Sequence, residues 1–247
     1  MMDCIVNYNF FSNTEELADY FATLFSERTG KLLEHKENIF IALSGGTTPN
    51  IYLAKLAAPQ FSQNINWNRI HFFWVDERMV LPTDPMSNYR SLKEILFNKI
   101  PIPEENIHRI KGEIVPQLEV RRYGNEILNT VGKTRDNLPE FDWILLGMGS
   151  DGHTASLFPE VELKDEYQSI TAISKNPDTG QIRITMTETI INNADYVTFV
   201  MTGKDKAHTV FELLKGNREK YPAGRIEPLN GLLEFLMDKE AASLLIE

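Results

Sequence analysis

Short apolar runs and amphipathic stretches alternate along this chain. Ile5 to Phe10 reads as a first strand, and Asn13 to about Leu33 then spaces Leu17, Phe21, Leu24 and Phe25 along one face of a helix. Ile39 to Leu43, Ile70 to Val75 and Trp143 to Leu146 are apolar without polar alternation, the pattern of strands buried on both faces. Pro49 suits the first turn of a helix reaching about Ala58, and Ser87 can cap one running to about Ile100, where Pro101-Ile102-Pro103 breaks the chain. Another helix is predicted near Pro116 to Val131. Ile170 to Ile173, Ile182 to Met186 and Tyr196 to Met201 read as strands, followed by helices near Lys204 to Lys215 and Leu229 to Leu245. Buried strands separated by helices predict an α/β protein with a mostly parallel sheet covered on both faces. No repeat, low-complexity tract or long linker divides it, so residues 1–247 are expected to form a single α/β domain.

Sheets of this kind bind ligands beyond the carboxyl ends of their strands. Three polar segments directly follow predicted buried strands: Ser44 to Pro49, Asp76 to Arg78, and Gly147 to Ser156. Their convergence is the strongest pointer to a site.

Composition narrows the partners. Among 247 residues the formal net charge is −10, which argues against nucleic acid or an anionic membrane surface, since both require a basic face. A small anionic substrate is still open, because it responds to a few cations in a cleft. The one cysteine, Cys4, supports neither a disulfide framework nor a cysteine metal cage. There is no apolar run of bilayer length and no basic-then-apolar N-terminal signal, so a cytoplasmic setting is expected. Oligomeric state is not legible.

Each polar segment has a bland reading beside a chemical one. Gly45 and Gly46 allow close backbone approach, while Ser44, Thr47 and Thr48 supply hydroxyls at a helix start, where N–H groups attract phosphate. An ordinary strand-to-helix turn would look similar, and no Lys stands where a Walker loop needs one. Asp76-Glu77-Arg78 is either a solvated charge run or a pair of site residues, with Arg78 meeting an anion and Asp76 orienting a partner. Gly147-Met148-Gly149-Ser150-Asp151-Gly152 fits the dinucleotide fingerprint in letters only, because Pro159 curtails any following helix and no strand precedes Asp165 and Glu166. Those glycines are better read as a turn presenting Asp151 and His153. His153 is the histidine best placed for catalysis, since neutral imidazole can take a proton from water. His35, His71, His108 and His208 share no metal-ligand spacing, so neither a metal nor an organic cofactor is expected. Arg183 and Lys206 are further cationic candidates.

Taken in order, Ser44-Gly45-Gly46-Thr47-Thr48-Pro49, Asp76-Glu77-Arg78 with Ser87-Asn88-Tyr89, Leu146 to Pro159, and Arg183-Ile184-Thr185-Met186-Thr187 with Gly203 to Ala207 resemble the 6-phosphogluconolactonases. Tyr221-Pro222-Ala223 and Asp238 to Ala242 echo that family's C-terminal pattern. The resemblance implies a three-layer α/β/α fold with a Rossmann-like sheet, and hydrolysis of a phosphosugar lactone in the oxidative pentose phosphate pathway. It also implies that the Ser44–Thr48 loop and Lys206 hold phosphate, with Arg78 assisting and Arg183 a further candidate. His153 would be the general base, Asp76 or Asp151 would orient it, and Arg78 is the first choice to meet the oxyanion. The related glucosamine-6-phosphate deaminases carry Glu before the motif proline, where this chain has Phe158. A sugar-phosphate sensor would need a basic DNA-binding module for which the chain has no spare length.

Overall fold

A strand buried on both faces must satisfy its backbone through neighbouring strands, so the apolar runs should lie side by side. The computed structural model describes residues 4–133 and 137–245. Its strands are β1 (Ile5–Phe11), β2 (Ile39–Leu43), β3 (Ile70–Trp74), β4 (Asp76–Arg78), β5 (Ile107–His108), β6 (Trp143–Leu146), β7 (Lys164–Tyr167), β8 (Thr171–Lys175), β9 (Ile182–Met186), β10 (Tyr196–Met201) and β11 (Leu232–Asp238). Its helices are α1 (Thr14–Leu33), α2 (Thr47–Lys55), α3 (Pro59–Ser62), α4 (Asn88–Ile95), α5 (Pro116–Thr130), α6 (Glu188–Ile191) and α7 (Ala207–Lys215).

Seven strands form a parallel sheet in the order β1-β11-β10-β6-β2-β3-β5, flanked by helices. α1 shows how sequence sets an element. Asn13 accepts from the Glu16 N–H at 2.9 Å, Glu16 accepts from the Ser12 N–H at 2.7 Å, and Leu17, Phe21 and Phe25 are buried at helical spacing. The carboxyl ends of β2, β3, β6 and β10 lie level, since Leu43 pairs with both Trp74 and Leu145, and Leu146 pairs with Phe199. All three polar segments therefore leave from one edge of the sheet.

The strand after β3 behaves differently from the expected charged loop. Val75 donates its N–H to Leu43 O at 3.0 Å in the parallel sheet, while its carbonyl accepts from the Met186 N–H at 2.6 Å. The chain thus passes through one residue into a second, antiparallel sheet ordered β4-β9-β8-β7. Asp76-Glu77-Arg78 is an edge strand of that sheet. Ile182–Met186 is a strand as expected, but it belongs there and not to the main sheet.

The helix expected over Leu229 to Leu245 does not form. Leu232–Asp238 is instead β11, inserted in parallel between β1 and β10. Leu and Met are good helix formers, but intrinsic propensity is a small bias that a position between two strand partners overrides. Glu234 is a charged residue in the middle of this strand. It is buried, and Arg28 neutralises it bidentately at 2.7 and 2.8 Å, with the guanidinium held over Trp143 and Tyr196. The structure also adds β5 and the largely exposed β7, which carry no apolar run long enough to announce them.

Candidate active site

The first wall is the turn after β2. Gly46 takes φ +116°, which a side chain disfavours, and caps α2 without a side-chain acceptor, leaving first-turn N–H groups for a ligand. Two contacts tie this turn to its surroundings. A Cβ on Gly45 would fall 2.0 Å from Asn88 Oδ1, and Thr48 Oγ1 lies 2.9 Å from Thr202 Oγ1. Thr202 directly follows β10, and the turn after it carries Lys206 just ahead of α7. Buried Asp238 accepts from the Gly203 N–H at 3.1 Å, the Ala241 N–H at 2.8 Å and Thr14 Oγ1–H at 3.0 Å, so the C-terminal segment anchors the lysine turn.

The second wall follows β6 and carries the histidine. The imidazole Nδ1–H of His153 donates to Asp151 Oδ1 at 2.6 Å; a carboxylate can only accept here, which leaves Nε2 as the basic nitrogen. Burial pushes the Asp151 carboxyl up, but the hydrogen bond and charge of His153 outweigh it and hold the group below its ordinary range. The pair folds back over Gly149, where a Cβ would lie 2.1 Å from His153 Nδ1 and 2.4 Å from Asp151 Oδ1. The turn is pinned by Gly149 N–H to His153 O at 2.8 Å, Thr154 Oγ1–H to Gly147 O at 2.8 Å and Ala223 N–H to Gly152 O at 3.1 Å. Ala155 holds a left-handed φ of +49° at the cleft, a conformation that costs free energy for any residue with a side chain. No helix follows β6 before β7, so the dinucleotide arrangement is not built.

The third wall comes from the small sheet. Asp76 is buried, accepts from Ser156 Oγ–H at 2.6 Å and faces Arg183 Nη1 at 3.6 Å. Of the two carboxylates that sequence left open, Asp151 therefore meets the imidazole, and Asp76 meets an arginine. Glu77 points away from the cleft and accepts from Arg78 N–H (2.8 Å), Asn88 N–H (2.9 Å), Tyr89 N–H (2.9 Å) and Ser87 Oγ–H (3.0 Å). Burial pushes its carboxyl up despite those amides. Its function is to fix β4 against the start of α4.

The three walls enclose a cleft of about 250 Å³, sized for a small metabolite and not for a polymer. Ser44, Gly45, Gly46, Thr47 and Thr48 line it, as do Asp76, Arg78, His153, Arg183 and Lys206; Asp151 stands behind His153. Asn88, Thr202 and Ser156 have no role assigned from sequence, whereas Phe158 marks the position where the related deaminases carry Glu. Asn88 and Ser156 sat inside noted motifs, whereas Thr202 carried no signal of its own. Among the described residues no group of three or more His, Cys, Asp or Glu is placed to hold a metal ion, and no helix is long and apolar enough to cross a membrane.

A parallel α/β sheet whose strand-end turns gather hydroxyls, helix-start amides and cations beside a carboxylate-paired histidine defines an α/β enzyme acting on a small anionic substrate. The family of glucosamine-6-phosphate isomerases/6-phosphogluconolactonase matches residues 12–234, and the chain belongs to this family. It is 44% identical over 207 residues to the 6-phosphogluconolactonase of Aggregatibacter actinomycetemcomitans, covering 83% of this chain and 87% of that one. It is 43% identical over 209 residues to the corresponding protein of Haemophilus influenzae, covering 84% and 88%. The crystal structure of 6-phosphogluconolactonase from Thermotoga maritima superposes with a TM-score of 0.80 at 32% identity, covering 94% of this chain and 99% of that one.

Proposed function

We propose that this enzyme hydrolyses 6-phospho-D-glucono-1,5-lactone to 6-phospho-D-gluconate. The observation that carries the reading is the 2.6 Å Asp151–His153 contact in the same cleft as the glycine turn and Lys206. The turn after β2 and Lys206 hold the phosphate through amides, hydroxyls and an ammonium. His153 Nε2 takes a proton from water as the water oxygen attacks C1. Asp151 stabilises the imidazolium that results, as the carboxylate does in hydrolytic triads. Arg78 and Arg183 face the oxyanion. When the bond between C1 and the ring oxygen breaks, His153 returns the proton to that oxygen, and the new acid loses its own proton to solvent. No protein nucleophile is required, because the lactone is already an activated ester.

Phe158 separates this reading from sugar-phosphate isomerisation. Its ring is buried and lies 4.8 Å from the His153 ring, so the position beside the base is filled by an apolar group and offers no carboxylate for ring opening. The test is a coupled assay for 6-phosphogluconate with freshly generated lactone and subtraction of spontaneous hydrolysis. Formation well above the blank is expected; a rate equal to the blank overturns the reading.

A further inference from the structure

A sheet ends in strands whose outer N–H and C=O groups lack a ladder partner, and folded proteins shield such edges by shortness, charge, bulges or a covering element. Of the four sheet edges in this molecule, three are shielded in these ways. β5 is only 2 residues long, β4 is Asp76-Glu77-Arg78, and β7 carries Lys164, Asp165 and Glu166 and pairs irregularly with β8. β1 is the exception. It runs for 7 residues, Ile5-Val6-Asn7-Tyr8-Asn9-Phe10-Phe11, without charge, proline or a break in its register with β11. No charged residue stands anywhere from Cys4 to Thr14. Ile5, Tyr8 and Phe10 are 64%, 47% and 49% exposed, and among the described residues only β11 pairs with this strand.

One hydrogen bond shows which backbone groups point outward. Phe11 is the register partner of Asp238, and its carbonyl accepts from the Lys239 N–H at 2.8 Å. That is the pattern of a residue whose N–H and C=O both face a parallel neighbour. Alternate residues turn the other way, so Val6, Tyr8 and Phe10 aim their N–H and C=O groups away from β11. An antiparallel strand centred on Tyr8 would engage all three.

In that register the sequence of β1 complements itself. Ile5 falls opposite Phe11, Val6 opposite Phe10, Asn7 opposite Asn9, and Tyr8 opposite Tyr8 of a second copy. Apolar meets apolar and amide meets amide, the pairings that stabilise antiparallel strands. A two-fold contact requires such self-complementarity, because both copies present the same surface. It favours a second copy of this chain over a foreign strand. Charge points the same way. Copies with a formal net charge of −10 repel one another, and along β1 they can approach with no charge on either strand.

We propose that the protein forms a two-fold homodimer through β1, with Tyr8 on the axis and the two seven-stranded sheets continued into one. The contact consumes the open edge of each copy, so association stops at two. β11 and β10 separate β1 from β6, whose turn carries His153, so both clefts stay open and the dimer is independent of the lactonase reading.

Sedimentation velocity of the whole protein over about a hundredfold range of concentration tests this. The wild type should reach the mass of two chains at the upper end. Tyr8→Lys opposes two ammonium groups on the axis and should raise the dimer Kd about tenfold or more. Asn7 and Asn9 face each other across the axis only in this register. Asn7→Asp with Asn9→Asp should therefore raise Kd about tenfold, whereas Asn7→Asp with Asn9→Lys should keep it within about threefold of the wild type. If Tyr8→Lys does not fold, the two double variants decide the matter. A wild type that stays at the mass of one chain throughout would overturn the dimer and leave the edge to a strand of another protein. A dimer unmoved by all three variants would overturn it by placing the contact elsewhere. Equal weakening by the two double variants would overturn the pairing centred on Tyr8.

Discussion

The two sheets meet at one cleft but supply different things. From the parallel sheet come turns: Ser44 to Thr48 after β2, Gly147 to His153 after β6 and Gly203 to Lys206 after β10. Their contribution is largely backbone geometry, with glycines admitting close approaches and hydrogen bonds within each turn fixing its shape. From the antiparallel sheet come side chains on strands: Asp76 and Arg78 on β4, Arg183 on β9. In the proposed mechanism proton transfer falls to the first sheet and charge stabilisation to the second. Substitutions in the two regions should therefore fail in different ways.

The largest effect belongs to the turn after β6. His153→Asn should lower kcat by about 10²–10⁴ with KM changed by only a few fold, because general-base assistance is lost while the phosphate contacts remain. Steady-state kinetics against a corrected blank check this; a kcat near that of the wild type would return His153 to a structural role. The next effect concerns the glycine turn and Lys206 together. Gluconolactone without phosphate should show kcat/KM lower by about 10²-fold or more, since several charge-assisted bonds of about 1.5–3 kcal/mol are absent. Comparable kcat/KM for the two lactones would contradict the phosphate site. Lys206→Ala alone should raise KM about tenfold and leave kcat within about threefold, the signature of one contact made equally in ground and transition states. The smallest effect is none: dialysis against EDTA should leave kcat/KM unchanged, because His153 and water carry every proton transfer in the proposed mechanism. A loss restored by added Zn²⁺ or Mg²⁺ would contradict that.

The parallel sheet was the legible half of the molecule. Its central strands β2, β3 and β6 are buried on both faces, so they stand out as unbroken apolar runs, and glycine and hydroxyl residues mark turns that follow. In the antiparallel sheet β8 and β9 were legible as strands, but β4 and β7 were not. β4 is three consecutive charges, and β7 is Lys164-Asp165-Glu166-Tyr167 with mostly exposed side chains, so neither shows the period of a half-buried strand. β11 misled for the opposite reason, because Leu, Met and Glu are good helix formers and the ion pair that hides Glu234 comes from Arg28 in α1. Cleft lining was readable for the residues just past β2, β3, β6 and β10, whereas Arg183 lies within β9. Pairing was not. Sequence left both Asp76 and Asp151 open as the partner of His153, and the approach of Ser156 and Arg183 to the former and of His153 to the latter separates them.

That separation is the central claim, and the pH dependence of kcat/KM for Asp151→Asn and Asp76→Asn tests it most directly. A carboxylate held below its usual range by an imidazole stabilises the protonated imidazole in return. Removing Asp151 therefore disfavours imidazolium, the basic form survives to lower pH, and the acid limb of the profile moves to lower pH as the plateau falls. Asp76→Asn should lower the plateau through Arg183 and leave the acid limb where the wild type has it. An acid limb that moves with Asp76→Asn and stays fixed with Asp151→Asn would contradict the account.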